Sequence, residues 1–113
     1  MKTTTARLIP AKGGLARELR IISWNADGLL QRQQELQMFL TEQKIDVCLI
    51  SETHFHRQSH IKMKGYNVYH TVHPDNNGWG GSAVIIKQNI SHYEKPKYET
   101  VGIQATVVTL KTK

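Results

Sequence analysis

Two short apolar runs, Leu19-Arg20-Ile21-Ile22-Ser23-Trp24 and Val47-Cys48-Leu49-Ile50-Ser51, flank a stretch of helical period, and this order confines the chain to an α/β layer. The first run is rich in β-branched and aromatic residues and reads as a buried strand. Between the runs, Gln31 to Gln43 carries a helical stripe: Leu29, Leu36 and Leu40 share a face, with Phe39 beside them. The second run is apolar on both faces, which suits the centre of a covered sheet. Neighbouring strands joined by a crossover helix bring their carboxyl ends side by side, where open α/β sheets bind ligands. Asn25 closes the first strand, Glu52 closes the second, and Asp27 lies on the turn after the first.

Further along, a polar loop runs from Glu52 to Lys64. Tyr66, Val68, His70 and Val72 then alternate with Asn67, Tyr69 and Thr71, the pattern of a half-buried strand. Pro74 to Gly81 is a long turn, Ser82 to Lys87 a further strand, and Val101 to Leu110 is expected to form another. Residues 1–18 lack periodicity, contain Pro10 and Gly13-Gly14, and have no acidic residue before Glu18. They read as a flexible leader or linker; a mitochondrial presequence has similar chemistry. No stretch is long or apolar enough for a membrane span or a secretory signal.

Fifteen Lys and Arg against nine Asp and Glu give a net charge of +6, in a chain of 113 residues that suffices for one small domain. That balance favours an anionic partner, nucleic acid first, then membrane surfaces or phosphorylated small molecules. The plainer alternative is that charge serves solubility alone. A single cysteine, Cys48, excludes an internal disulfide and fits a reducing compartment. Set in an apolar run, it reads as a small buried hydrophobe rather than a nucleophile.

An amide oxygen beside carboxylates is the hard oxygen environment that Mg²⁺ prefers. By spacing alone, Asn25 and Asp27 serve equally as turn formers, and Glu52 as an exposed loop residue. The six histidines have no zinc-like framework. His54, with Arg57, Lys62 and Lys64, is instead expected to form a basic surface near phosphate, in a loop flanking the metal end of the sheet. Trp79, in a glycine-rich turn, could stack on bases; Tyr66 and Tyr69 read as strand packing.

Ser23-Trp24-Asn25-Ala26-Asp27-Gly28 and Leu49-Ile50-Ser51-Glu52-Thr53-His54-Phe55 resemble the first two motifs of the endonuclease/exonuclease/phosphatase (DNase I-like) family. Within it, the chain is similar to the endonuclease domains of jockey-type non-LTR retrotransposons. Gly65 to His70, Gly80 to Lys87 and Ile103 to Thr106 resemble the segments that follow, in the same order.

The resemblance implies the N-terminal half of an α/β sandwich: one mainly β layer with a covering helix, over residues 19–113. It implies a Mg²⁺-dependent DNA endonuclease, Mn²⁺ being an alternative ion, acting in the nucleus to nick target DNA. In that reading Asn25 and Glu52 are catalytic, Asn25, Asp27 and Glu52 hold the metal, and His54, Arg57, Lys62, Lys64 and Trp79 meet the nucleic acid. Asp27 stands where jockey-type sequences often carry Asn, and resembles the apurinic endonucleases there. The family's later Tyr-containing, Asp-x-Asn and Ser-Asp-His segments do not follow Leu110, after which only Lys111-Thr112-Lys113 remain. The expectation is therefore a piece inactive on its own, belonging with a C-terminal half or a reverse transcriptase domain in a longer polyprotein, and leaving an apolar sheet face uncovered. A non-catalytic nucleic-acid-binding remnant and a phosphoesterase acting on small phosphoesters are the alternatives.

Overall fold

A computed structural model describes the backbone of residues 2–8 and 17–111 and the side chains of 18–111. The strands β1 (Lys2–Leu8), β2 (Arg17–Asn25), β3 (Val47–Ser51), β4 (Tyr66–Thr71) and β5 (Ser82–Lys87) form one sheet in the order β1-β2-β3-β5-β4. A 3₁₀ turn, Leu30–Arg32, leads into the helix α1 (Gln33–Glu42). β2 and β3 are parallel, as a crossover helix requires, and the other pairings in this sheet are antiparallel.

Period-2 alternation divides the sheet into two faces. Ile22, Cys48, Ile50, Ala83, Ile85 and Tyr66 point toward α1 and pack with Leu29, Leu36 and Leu40, the helical stripe read from the sequence. Leu19, Val47, Val84 and Ile86 point the other way and pack with Ile90. Tyr66 bridges the helix to the strand below it, its hydroxyl donating to the carbonyls of Ile45 (2.6 Å) and Leu40 (3.2 Å). Cys48 is fully buried on the helix face, and burial pushes its thiol up to about 12. Thiolate, not thiol, is the reacting species. Iodoacetamide at mildly alkaline pH is therefore expected to leave Cys48 unmodified in the native chain and to alkylate it fully in concentrated urea, as read by intact mass.

Two features differ from the sequence reading. Lys2–Leu8, within the expected leader, pairs along its whole length with Arg17–Asn25, so the sheet has a strand more than the periodicity indicates. Its three consecutive threonines, Thr3, Thr4 and Thr5, are β-branched, and an antiparallel partner supplies the order that an unpatterned segment lacks. The continuous strand expected over Val101–Leu110 is two: β8 (Gln104–Ala105) pairs with β7 (Tyr98–Glu99), and β9 (Val108–Leu110) pairs with β6 (His92–Glu94). The break falls opposite Pro96, which has no N–H for a ladder. There Thr106 turns inward instead, its hydroxyl 2.8 Å from that of Thr71 and 2.9 Å from that of Ser82.

The second sheet face is covered only in part. Val108 and Leu110 pack against it, yet Leu49 stays 42% exposed, beside a hollow of 270 Å³ lined by Ile21, Val47, Val84, Ile86 and Val107 among others. β3 is therefore not apolar on two buried faces; one of them opens to solvent. No helix of the described residues is long and apolar enough to cross a membrane.

Candidate metal centre

The parallel β2–β3 ladder, which ends with Asn25 opposite Ser51, does not stop at the strand ends. The N–H groups of Ala26, Gly28 and Leu29 donate to the carbonyls of Ser51, Glu52 and Thr53, at 2.9, 2.9 and 3.0 Å. Two turns carrying polar residues are thereby joined backbone to backbone. Within them Asp27, Glu52 and His54 all take left-handed backbone, with φ of 46°, 54° and 57°. Such a conformation costs an L-residue roughly 1–2 kcal/mol; Lys44 and Asn76 adopt it as well, in turns outside this cluster.

The three strained residues converge. One ligand atom from each of Asp27, Glu52 and His54 lies within 4.8 Å of the other two. Asn25 sets their positions from below: its side-chain carbonyl accepts the Asp27 N–H at 3.0 Å, and its amide donates to Glu52 Oε2. His54 Nε2 is 3.7 Å from Glu52 Oε1 and 3.9 Å from Asp27 Oδ1, and although buried it has no hydrogen-bond partner. A third wall comes from the Pro74–Gly81 turn: Gly80 and Gly81 accept the N–H groups of His54 (3.0 Å) and Thr53 (3.4 Å). Trp79, 66% exposed, stands edge-on to the His54 ring with centroids 5.4 Å apart.

This donor set fits a divalent cation. Two carboxylates brought this close repel unless positive charge lies between them. A buried ring nitrogen with no hydrogen-bond partner costs free energy until it is given one. Carboxylate oxygens suit Mg²⁺ and Mn²⁺, and an imidazole is a ligand more at home with transition metals.

The structure separates the residues named from sequence. Asn25, Asp27 and Glu52 come together, with Asn25 bound to both carboxylate-bearing neighbours rather than turned outward alone. His54, expected on a phosphate-binding surface, stands instead among the carboxylates. Glu52 and His54 both take left-handed backbone, so the period-2 rule of an extended segment does not apply and the sequence carried no signal for this placement. Trp79 lies at the rim. Arg57 lies in the adjoining loop, where its guanidinium donates to the Pro74 carbonyl at 2.8 Å and its N–H to Asn76 Oδ1 at 2.7 Å, bracing one loop on another.

Lys62 and Lys64 do not flank this end of the sheet. β4 runs in the same direction as β3, since both pair antiparallel with β5, so the connection from Glu52 must travel the length of the sheet before β4 begins. Phe55, Ile61 and Met63 bury themselves along that path and deliver Lys62 and Lys64 to the opposite pole. His56 and His60 also stay outside the cluster, and Asp27, Glu52 and His54 form the one group of this density among the described residues.

Comparison with known proteins agrees with this architecture. The family model of the endonuclease/exonuclease/phosphatase family matches residues 22–111. The RNA-directed DNA polymerase from mobile element jockey of Drosophila melanogaster is 43% identical over 94 residues, covering 83% of this chain and 10% of that protein. Its counterpart from Drosophila funebris is 36% identical over 94 residues, and a probable RNA-directed DNA polymerase from transposon BS of Drosophila melanogaster 31% over 96. The chain covers 83% of itself in each match and only 10% and 11% of those two proteins, so it spans about a tenth of the relatives' length. Among solved structures, the catalytic domain of Xenopus laevis APE2 aligns with a TM-score of 0.53 and 27% identity, over 66% of this chain and 26% of that one. With strand-end carboxylates on a helix-covered sheet and a family match over most of its residues, the chain belongs to the endonuclease/exonuclease/phosphatase family.

Proposed function

We propose that the Asp27–Glu52–His54 pole binds a divalent cation, Mg²⁺ or Mn²⁺, and contributes one wall of a DNA endonuclease site of the retrotransposon type, working in the nucleus within a longer polyprotein. The observation that carries this reading is the convergence of three ligand atoms on strained backbone at the carboxyl ends of parallel strands. When bound, such an ion polarises a phosphoryl oxygen and offsets charge on the leaving oxygen. Asp27, Glu52 and His54 would hold it, while Asn25 fixes the Glu52 carboxylate and the turn at Asp27. Trp79 offers an exposed aromatic face beside the site, suited to a base or sugar.

Activating water is a separate task from holding the ion. His73 Nδ1 accepts the Asp75 N–H (3.1 Å) and so has its basic nitrogen occupied, whereas His56 donates to the Asn76 carbonyl through Nδ1 (3.1 Å), which leaves the lone pair on Nε2. General-base assistance commonly contributes about 10²–10⁴ in rate. Residues 1–113, which span about a tenth of the relatives' length, are expected to bind metal and by themselves to leave DNA intact.

Manganese titration followed by electron paramagnetic resonance tests both halves of this reading. The expected result is one bound Mn²⁺ per chain, lost in Asp27→Asn, with plasmid nicking at background in either ion. Absence of saturable Mn²⁺ binding would remove the metal site. Nicking that vanishes in Asp27→Asn would keep the site and overturn the inactivity.

A further inference from the structure

At the pole opposite the carboxylates the charge reverses. Lys44, Lys64 and Lys87 line one hollow of 420 Å³, together with Thr41, Gln88 and Asn89. A second hollow of 610 Å³ adjoins it, with Lys62, Gln37, Asn67 and Gln88 in its wall. Lys64, Gly65, Tyr66 and Gln88 belong to both, so the two form one continuous depression. No Asp or Glu lines either. Among the described residues, Lys87 has an acidic neighbour, Asp46 at 3.6 Å, and that carboxylate also accepts the Arg20 N–H at 2.7 Å.

The fold places this depression far from the metal centre. Thr71 pairs with Ser82 at the metal end of β4, and Tyr66 pairs with Lys87 at the other. The six residues between them span about 17 Å at roughly 3.4 Å per residue. Basic residues that merely served the metal site would not be concentrated there.

We propose that this depression is a second nucleic-acid contact, which holds the phosphodiester backbone through Lys44, Lys62, Lys64 and Lys87 independently of the metal centre. Charge complementarity selects the occupant: four ammonium groups, of which Lys87 is shared with Asp46, fit a polyanion, and lysine serves as a point-charge phosphate binder. The amides of Gln37, Asn67, Gln88 and Asn89 add donors that suit phosphate and sugar oxygens. No aromatic face is offered to a base, because Tyr66 is buried with its hydroxyl bound to Ile45, so contact is to the backbone and independent of sequence. A membrane surface fits less well, since none of the exposed large hydrophobic residues lines the depression.

Fluorescence anisotropy of the chain on a labelled random-sequence duplex, over a salt series, tests the proposal. In Lys44→Glu/Lys62→Glu/Lys64→Glu the log–log salt slope should fall by about 2.7, three contacts at about 0.9 each, with affinity lower by tenfold or more. The series is run in chelator, with no divalent ion present, so failure of the metal reading leaves this result legible. Lysine acetylation of the unmodified chain with and without duplex gives a second measure that needs no variant: Lys44, Lys62 and Lys64 should be protected. An unchanged slope in a folded triple variant, or no protection of these lysines, overturns the proposal. So does triple-variant loss of binding to phosphatidylserine vesicles with duplex binding intact, which assigns the depression to lipid.

Discussion

Glu52→Gln is expected to abolish the rise in melting temperature that Mg²⁺ or Mn²⁺ confers on the wild-type chain, while leaving the metal-free protein at least as stable as wild type. A ligand at ten times its Kd adds about 1.4 kcal/mol to the folded state, worth several degrees in a domain of this size. Glutamine keeps the length of Glu52 and an oxygen to accept the Asn25 amide, so the turn is not disturbed. It removes one of two negative charges that the fold brings together beside His54. The side chains of Asp27 and Glu52 are 79% and 46% exposed, so relief of their repulsion is modest, a few tenths of a kcal/mol to about 1. The two outcomes therefore have opposite signs: stability without metal is held or gained, and stability with metal is lost. Scanning calorimetry with chelator and with each ion reads both. A variant that melts earlier without metal and still gains from Mg²⁺ would make Glu52 structural and sink the assignment.

Gly81→Ala is expected to cost about 3 kcal/mol or more, lowering the melting temperature by more than 10 °C. Gly81 has φ of +85°, which Ala adopts only at a cost of roughly 1–2 kcal/mol. An added Cβ would stand 2.4 Å from Thr53 Oγ1 and 3.2 Å from the Thr71 carbonyl oxygen. Thr53 and Thr71 are both fully buried, so neither can swing aside. Gly65→Ala separates the two contributions, since Gly65 has a similar φ of +84° with nothing within 4 Å of its would-be Cβ. That variant should lose only the conformational part, and the difference between the two is the clash. Because Thr53 lies between Glu52 and His54, Gly81→Ala should also weaken Mn²⁺ binding, which Gly65→Ala should not. Equal melting temperatures for the two variants would refute the close packing of the turn on Thr53.

Strands and helix were legible in the sequence because their physics is local. Ser82–Lys87 and the stripe Leu29, Leu36 and Leu40 follow from period alone, and the structure places them as read. What escaped was set by pairing. Lys2–Leu8 has no pattern of its own and is ordered by its neighbour, and Val101–Leu110 is divided opposite Pro96, which lies between the two partner strands. The juxtaposition of Asn25 and Glu52 was legible through strand ends: a crossover helix makes β2 and β3 parallel, and that brings the two residues together. The misplacement of Lys62 and Lys64 has the same origin. Loop composition carries no direction, and only the sheet order says that the segment after Glu52 returns to the far pole. His54 joined the carboxylates through backbone twist at Glu52 and His54, a conformation that residue type does not announce for Glu or His.

The left-handed backbone at Asp27, Glu52 and His54 also has a consequence for how such a chain ages under mutation. At these three positions glycine relaxes the main chain, so changes that stabilise the fold locally also erase the proposed metal ligands. A lineage released from selection on metal binding should drift toward glycine or asparagine at 27, 52 and 54 before its core at Ile22, Leu40 or Ile85 is touched. The order in which sister copies lose these residues would then date the end of selection on metal binding, with the backbone as the clock.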